Sequence, residues 1–177
     1  MRIAIDELST RGLTVRFSRE DDWAREAVAV ALDGPVTALE GSLRVERAKR
    51  GVKTTVEGRA VVEHTCDRCG ALIALPVKAD EELLFLPEEE PSDRPDRPDG
   101  EIEADDLDVG WYQGDELDLG QVTCEAFALN LPMRITCAVA EVDDVALAEA
   151  ACTARMAPSE AGDDQVGSPF AVLSKLR

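Results

Sequence analysis

Two cysteines stand two residues apart in the stretch EHTCDRCGALIALPV, residues 63 to 77, and a glycine follows the second directly. A C-x-x-C turn closed by glycine is how many zinc knuckles begin, because the glycine relaxes the backbone and lets amide hydrogens face the thiolates. Such a turn supplies half of the four ligands of a structural zinc site. Two further ligands would have to come from elsewhere in the chain, and His64, the single histidine, lies close enough in sequence to turn its ring inward. The plainer reading is a tight turn that keeps small, buriable side chains, and packing without a resident cofactor is the expectation, with zinc as the alternative. A thioredoxin-type redox role fits less well, since the pair does not open a helix after a parallel strand. Cys124, beside Glu125 in a helical stretch, is expected to pack. His64 has no serine or cysteine triad pattern around it and reads as an exposed or hydrogen-bonded ring.

Charge gives the second set of candidates. The 177-residue chain carries a formal net charge of −18, which by itself speaks against a general nucleic-acid binder. Its distribution is uneven. Residues 80 to 118 hold 17 acids against only Arg94 and Arg97, a net of −15. Residues 41 to 70 hold seven Lys and Arg against four acids, a net of +3. Arg44, Arg47, Lys49, Arg50 and Lys53 are therefore the candidate nucleic-acid contacts, while Glu88, Glu89, Glu90 and Asp93 are the candidate contacts to a basic protein. The acids lie in a Pro-broken run, where carboxylates are not fixed well enough for acid–base or divalent-ion catalysis. Trp23, Trp111 and Tyr112 do not interleave with the basic stretch, so it offers phosphate contact and no base-stacking platform.

The elements that must hold these residues follow from periodicity. RIAIDEL and GLTVRF alternate as half-buried strands, and REDDWAREAVAVAL changes to helical spacing with Asp21 or Asp22 as cap, ending at Gly34-Pro35. The two-residue period returns from 41 to 64 as a hairpin turning at Lys49-Arg50-Gly51, and ALIALPVKADEELLFLP continues as a further strand or strand pair. The cysteine pair thus sits in a turn between strands. A short strand is expected at Val109 to Tyr112 and a helix at 118 to 131, opened by an Asp118–Gln121 capping box and stopped by Pro132. A weakly helical, alanine-rich stretch runs from 138 to 155, and SPFAVLSKL closes the chain as a helix docked by Phe170, Leu173 and Leu176.

This order resembles the YceD family: a C-x-x-C turn after a strand, a long strand ending in LFLPEEE, an acidic loop, a short strand, then ELDLGQVTCEAFALNLPMRITC and SPFAVLSKL. The resemblance spans roughly the whole chain and implies a bacterial or plastid protein needed for accumulation of 23S ribosomal RNA. It brings no catalytic residues. Many members of the family carry a second C-x-x-C in the tail, which would complete a metal site with the first; this chain reads CAVAEVDDVALAEAACTARMAPSEAG there with Cys137 and Cys152 standing singly, so zinc would need Cys66 and Cys69 with Cys137 and Cys152, or with His64.

Together these readings give one α+β domain over 1–177: a mostly antiparallel sheet or partly open barrel, two or three packed helices and a projecting acidic loop. The acidic segment at 87–108 and a second stretch at 156–167 are expected to be flexible. The start of the chain lacks the basic and apolar pattern of a signal peptide, and no run of about 18 apolar residues occurs, so a soluble cytoplasmic protein without a membrane partner is expected. The functional expectation is a non-catalytic assembly or escort factor in ribosome biogenesis, binding a basic ribosomal protein and pre-ribosomal large-subunit RNA. A small metal-dependent, nuclease-like enzyme and a purely protein-binding adaptor are the alternatives.

Overall fold

A computed structural model describes residues 1–49, 51–88, 109–140 and 145–156. Its frame is a five-stranded sheet in the order β2–β3–β4–β5–β6, with β2 Leu13–Ser18, β3 Val36–Ala48, β4 Gly51–Thr65, β5 Leu72–Pro87 and β6 Val109–Tyr112. Every neighbouring pair is antiparallel except β5 and β6, which run parallel with Leu84 opposite Val109. Among the described residues the sheet stays open, with β2 and β6 at its edges. The architecture is the expected α+β class with a mostly antiparallel sheet.

The alternation of the three long strands decides which face is covered. Leu43 and Val45 of β3, Val52, Val56, Ala60 and Val62 of β4, and Leu75, Val77, Ala79 and Phe85 of β5 all point to one side and are buried. Two helices close that side, α1 (Asp22–Ala31) through Ala24 and Val28, and α2 (Leu119–Ala128) through Leu119, Val122, Ala126 and Phe127. Gly41 and Gly58 face each other across β3 and β4 beneath these helices. A Cβ on Gly41 would lie 2.5 Å from the Phe17 ring, and one on Gly58 would lie 3.1 Å from the Phe127 ring, so bare backbone is what admits both aromatics. Phe17 in turn meets Trp23 edge-on, with ring centroids 5.8 Å apart.

The start of the chain forms β1 (Arg2–Ala4), which pairs antiparallel with β7 (Glu116–Asp118) as a separate two-stranded sheet. Of the strand expected over RIAIDEL only the first three residues form one, and β7 has no counterpart among the expected strands. Asp118 caps α2 as expected, but its carboxylate accepts from the Gly120 amide at 2.9 Å, not from the amide of Gln121. Asp21 occupies the cap position of α1 with its carboxylate turned back to the Ser18 amide and hydroxyl. The strand expected from 41 begins at Val36, because a register shift between Val36 and Ala38 interrupts the two-residue period. ALIALPVKADEELLFLP is one strand, not a pair. A third helix, α3 (Val145–Met156), follows a short 3-10 turn at Cys137–Val139. Of the loop expected at 156–167 only Met156, the last residue of α3, is described, and the closing helix with Phe170, Leu173 and Leu176 lies outside the described residues, as does the acidic segment except for Pro87 and Glu88.

Candidate metal centre

The turn between β4 and β5 is built by its own hydrogen bonds. The Cys66 amide donates to the Ala71 carbonyl at 2.8 Å and the Gly70 amide to the Cys66 carbonyl at 2.9 Å. Gly70 takes a φ of +71°, a left-handed conformation that favours glycine and brings the chain round into β5. Asp67 then fastens a distant segment to the turn. Its amide donates to the Ile135 carbonyl and its carboxylate accepts from the Ile135 amide, both at 2.7 Å. That two-point clamp carries Cys137, two residues further on, to the turn, and α3 delivers Cys152 from the other side.

The result is a cluster of Cys66, Cys69, Cys137 and Cys152 whose sulfurs all lie within 4.8 Å of one another. The Sγ atoms of Cys69 and Cys137 are 3.6 Å apart, and those of Cys66 and Cys152 are 3.9 Å apart. Four thiolates around one zinc at about 2.3 Å would have sulfur–sulfur edges of about 3.8 Å, so the spacing suits that ion closely. Cys66, Cys137 and Cys152 are buried and Cys69 is half-buried, with Ile73 and Ala148 packed beside them. The expectation of plain packing rested on the difficulty of bringing two distant single thiols to the turn. Asp67 and α3 do so.

The four thiols differ in acidity. Burial pushes Cys66 up, but hydrogen bonds from the amides of Cys69 and Arg68, and from neighbouring thiols, outweigh it and bring its pKa down to about 6. The Ala71 amide lowers Cys69 against the effect of burial. Cys137 is pushed up to about 12, first by burial and then by the surrounding sulfurs. Burial likewise raises Cys152. The turn therefore stabilises anionic sulfur through its amides, whereas the later pair must lose protons to become ligands.

The family model described as large ribosomal RNA subunit accumulation protein YceD matches residues 54–177, which contain the whole cluster. The chain belongs to the YceD family. No curated protein and no solved structure matches it. The YceD match starts after Lys53, so the candidate nucleic-acid contacts Arg44, Arg47, Lys49, Arg50 and Lys53 all precede it.

Those cations are less free than their number suggests. Arg44 meets Glu46 at 2.7 Å, Lys53 meets Glu82 at 2.6 Å, and Arg47 donates to the carbonyls of Ile5 and Leu8 at 2.6 and 3.2 Å. Lys49 is exposed in the turn, and Arg50 lies outside the described residues. On the acidic side, the Glu88 amide donates to the Tyr112 carbonyl at 2.8 Å, while Glu89, Glu90 and Asp93 lie outside the described residues. His64 stays apart from the thiols, its Nδ1 lying 3.1 Å from the Thr65 carbonyl. Cys124 is half-buried in α2, its pKa raised by burial and by Glu125. Asp67, Arg68 and Arg134 escaped the sequence reading as site residues; the available signal was their place inside C-x-x-C and L-P-M-R.

Proposed function

We propose that the protein is a non-catalytic factor of ribosome biogenesis that supports 23S rRNA synthesis, processing or stability as an assembly or escort factor, with a structural zinc ion on Cys66, Cys69, Cys137 and Cys152. The observation that carries this reading is the coincidence of the YceD match with a complete four-thiol cluster inside the matched residues. Zinc would supply a cross-link between the β4–β5 turn, the 137–139 segment and α3. Four protein thiolates fill a tetrahedral ion's coordination, as structural sites do, where catalytic sites keep a position for water. This favours the escort reading over the metal-dependent nuclease. The partners would be basic ribosomal protein, drawn by the acidic segment, and pre-ribosomal RNA.

Depletion of the protein, followed by ribosome profiles and co-purification, tests the pathway. Loss of 23S rRNA with large-subunit intermediates bound to the tagged protein is the expected result, and unchanged large-subunit levels would end this reading. Metal analysis of chain purified without chelator tests the site. About one zinc per molecule is expected, lost in Cys66→Ser/Cys69→Ser. Zinc uptake at neutral pH should release protons from Cys137 and Cys152, seen as a binding enthalpy that varies with the buffer.

A further inference from the structure

Beside the thiol cluster lies a cleft of about 490 Å³, lined by Arg68 from the C-x-x-C turn, Arg134 and Thr136 from the segment that Asp67 clamps, and Glu149 from α3, together with Cys137 and Cys152. Arg68 and Arg134 are exposed, and neither guanidinium has an ion-pair or hydrogen-bond partner among the described residues. This sets them apart from Arg44, Arg47 and Lys53 of the hairpin, each of which is tied to a carboxylate or a carbonyl.

We propose that this cleft binds the phosphate backbone of single-stranded RNA, with Arg68 and Arg134 gripping phosphate oxygens and Thr136 adding a hydroxyl. The guanidinium fork matches phosphate geometry, and two forks with a hydroxyl around one opening form a multipoint anion site. The volume suits a nucleotide-sized segment and is too small for a duplex, so the RNA enters as a splayed strand. Glu149 opposes the phosphate from α3 and holds the affinity down. The choice of RNA among polyanions rests on the ribosomal reading above.

The test is an anisotropy titration of the full-length chain with a short labelled single-stranded RNA at several salt concentrations. Arg68→Gln/Arg134→Gln should weaken binding about tenfold at low salt and flatten the slope of log K against log salt by about 1.4, the loss of two single-strand phosphate contacts. Glu149→Gln should tighten binding about threefold by removing the opposing charge. Lys49→Gln/Lys53→Gln should change it less than the arginine pair does. Polyglutamate at equal charge should compete poorly. Metal content and melting are measured on each variant, and if the double variant unfolds, Arg134→Gln alone and the gain in Glu149→Gln decide the matter. Parent-like affinity in the arginine variants, no gain in Glu149→Gln, or equal competition by polyglutamate overturns the cleft. Loss of binding in the hairpin variant alone would leave RNA binding standing and move it off the cleft. A chain that binds no RNA, yet whose depletion still lowers 23S rRNA, would leave the pathway standing and end this proposal.

Discussion

The sheet with α1 and α2 is built on large apolar side chains, whereas the region around α3 gathers on four cysteines. In the first, Phe85, Phe127, Leu43, Leu75 and Leu119 are fully buried. In the second, α3 packs on the 137–139 turn and, among its described side chains, contributes to the buried cluster Cys152 and, at its edge, Ala148. Two of its larger apolar residues are exposed, Leu147 at 68% and Met156 at 49%. A 12-residue helix is marginal in water on its own. Apolar burial explains the stability of the sheet; for α3 it is small among the described residues, and a metal bond to Cys152, as proposed above, would add to it. The two regions should therefore fail independently.

The largest expected effect lies in the core. Phe127→Ala removes a ring that rests on the bare backbone of Gly58 and should cost about 3–5 kcal/mol, lowering the urea midpoint followed by Trp23 fluorescence. Trp23 packs on Phe17 and reports this region. Cluster metal should be retained in the folded fraction. A cost below about 1 kcal/mol would mean that the α2–sheet contact is looser than its burial implies.

The next effect belongs to the sulfur region. Chelation, or Cys66→Ser/Cys69→Ser, should release α3, with loss of its 12 helical residues from the far-ultraviolet circular dichroism and rapid proteolysis between 140 and 156. The Trp23 transition should move little. A collapse of both regions together would show that the cluster is part of the main core and would erase the distinction between them.

The same division governed what the sequence could disclose. Period-two alternation exposed β4, β5 and their buried face, since burial on one side of a strand writes itself into residue order. The beginning of β3 was hidden by the irregularity at Val36/Ala38, and β7 by its three-residue length. The C-x-x-C half of the cluster was legible as a local turn. Cys137 and Cys152 were named as partners, but they stand singly in a 3-10 turn and an alanine-rich helix, and no spacing rule joins them. Their meeting depends on the Asp67–Ile135 clamp, a contact across 68 residues that only the folded chain reveals. Charge counting had a similar limit: it found Arg44, Arg47 and Lys53 without revealing that each already had a partner.

That clamp offers a smaller test of how the two regions are joined. Asp67→Ala removes the carboxylate that accepts from the Ile135 amide at 2.7 Å, leaving the backbone bond from the Asp67 amide in place. A charge-assisted bond of this kind contributes about 1.5–3 kcal/mol, and the lower figure is expected because Asp67 is exposed. Much of the loss should fall on the cluster, as weaker zinc retention against a competing chelator. Asp67→Asn keeps an acceptor oxygen and should recover part of it. Unchanged zinc retention in Asp67→Ala would mean that the backbone bond and Ile135 burial position Cys137 without the carboxylate.

The smallest effect is expected on the exposed face of the sheet, opposite its buried core. Lys53 meets Glu82 at 2.6 Å across β4 and β5, but the two side chains are 40% and 63% exposed. Solvent screens such a pair, and ordering two long side chains offsets most of the attraction, so Glu82→Gln should change stability by well under about 1 kcal/mol. Its consequence should instead be electrostatic. Freed from its carboxylate, Lys53 becomes available to an external anion, and any RNA affinity that the hairpin possesses should rise in Glu82→Gln and fall with salt. An RNA affinity equal to the parent's would show that the hairpin cations serve only the sheet surface. A stability loss of several kcal/mol would show instead that the pair helps to hold β5 on β4, and that the division between an apolar core and a sulfur-held satellite omits a third, ionic contribution.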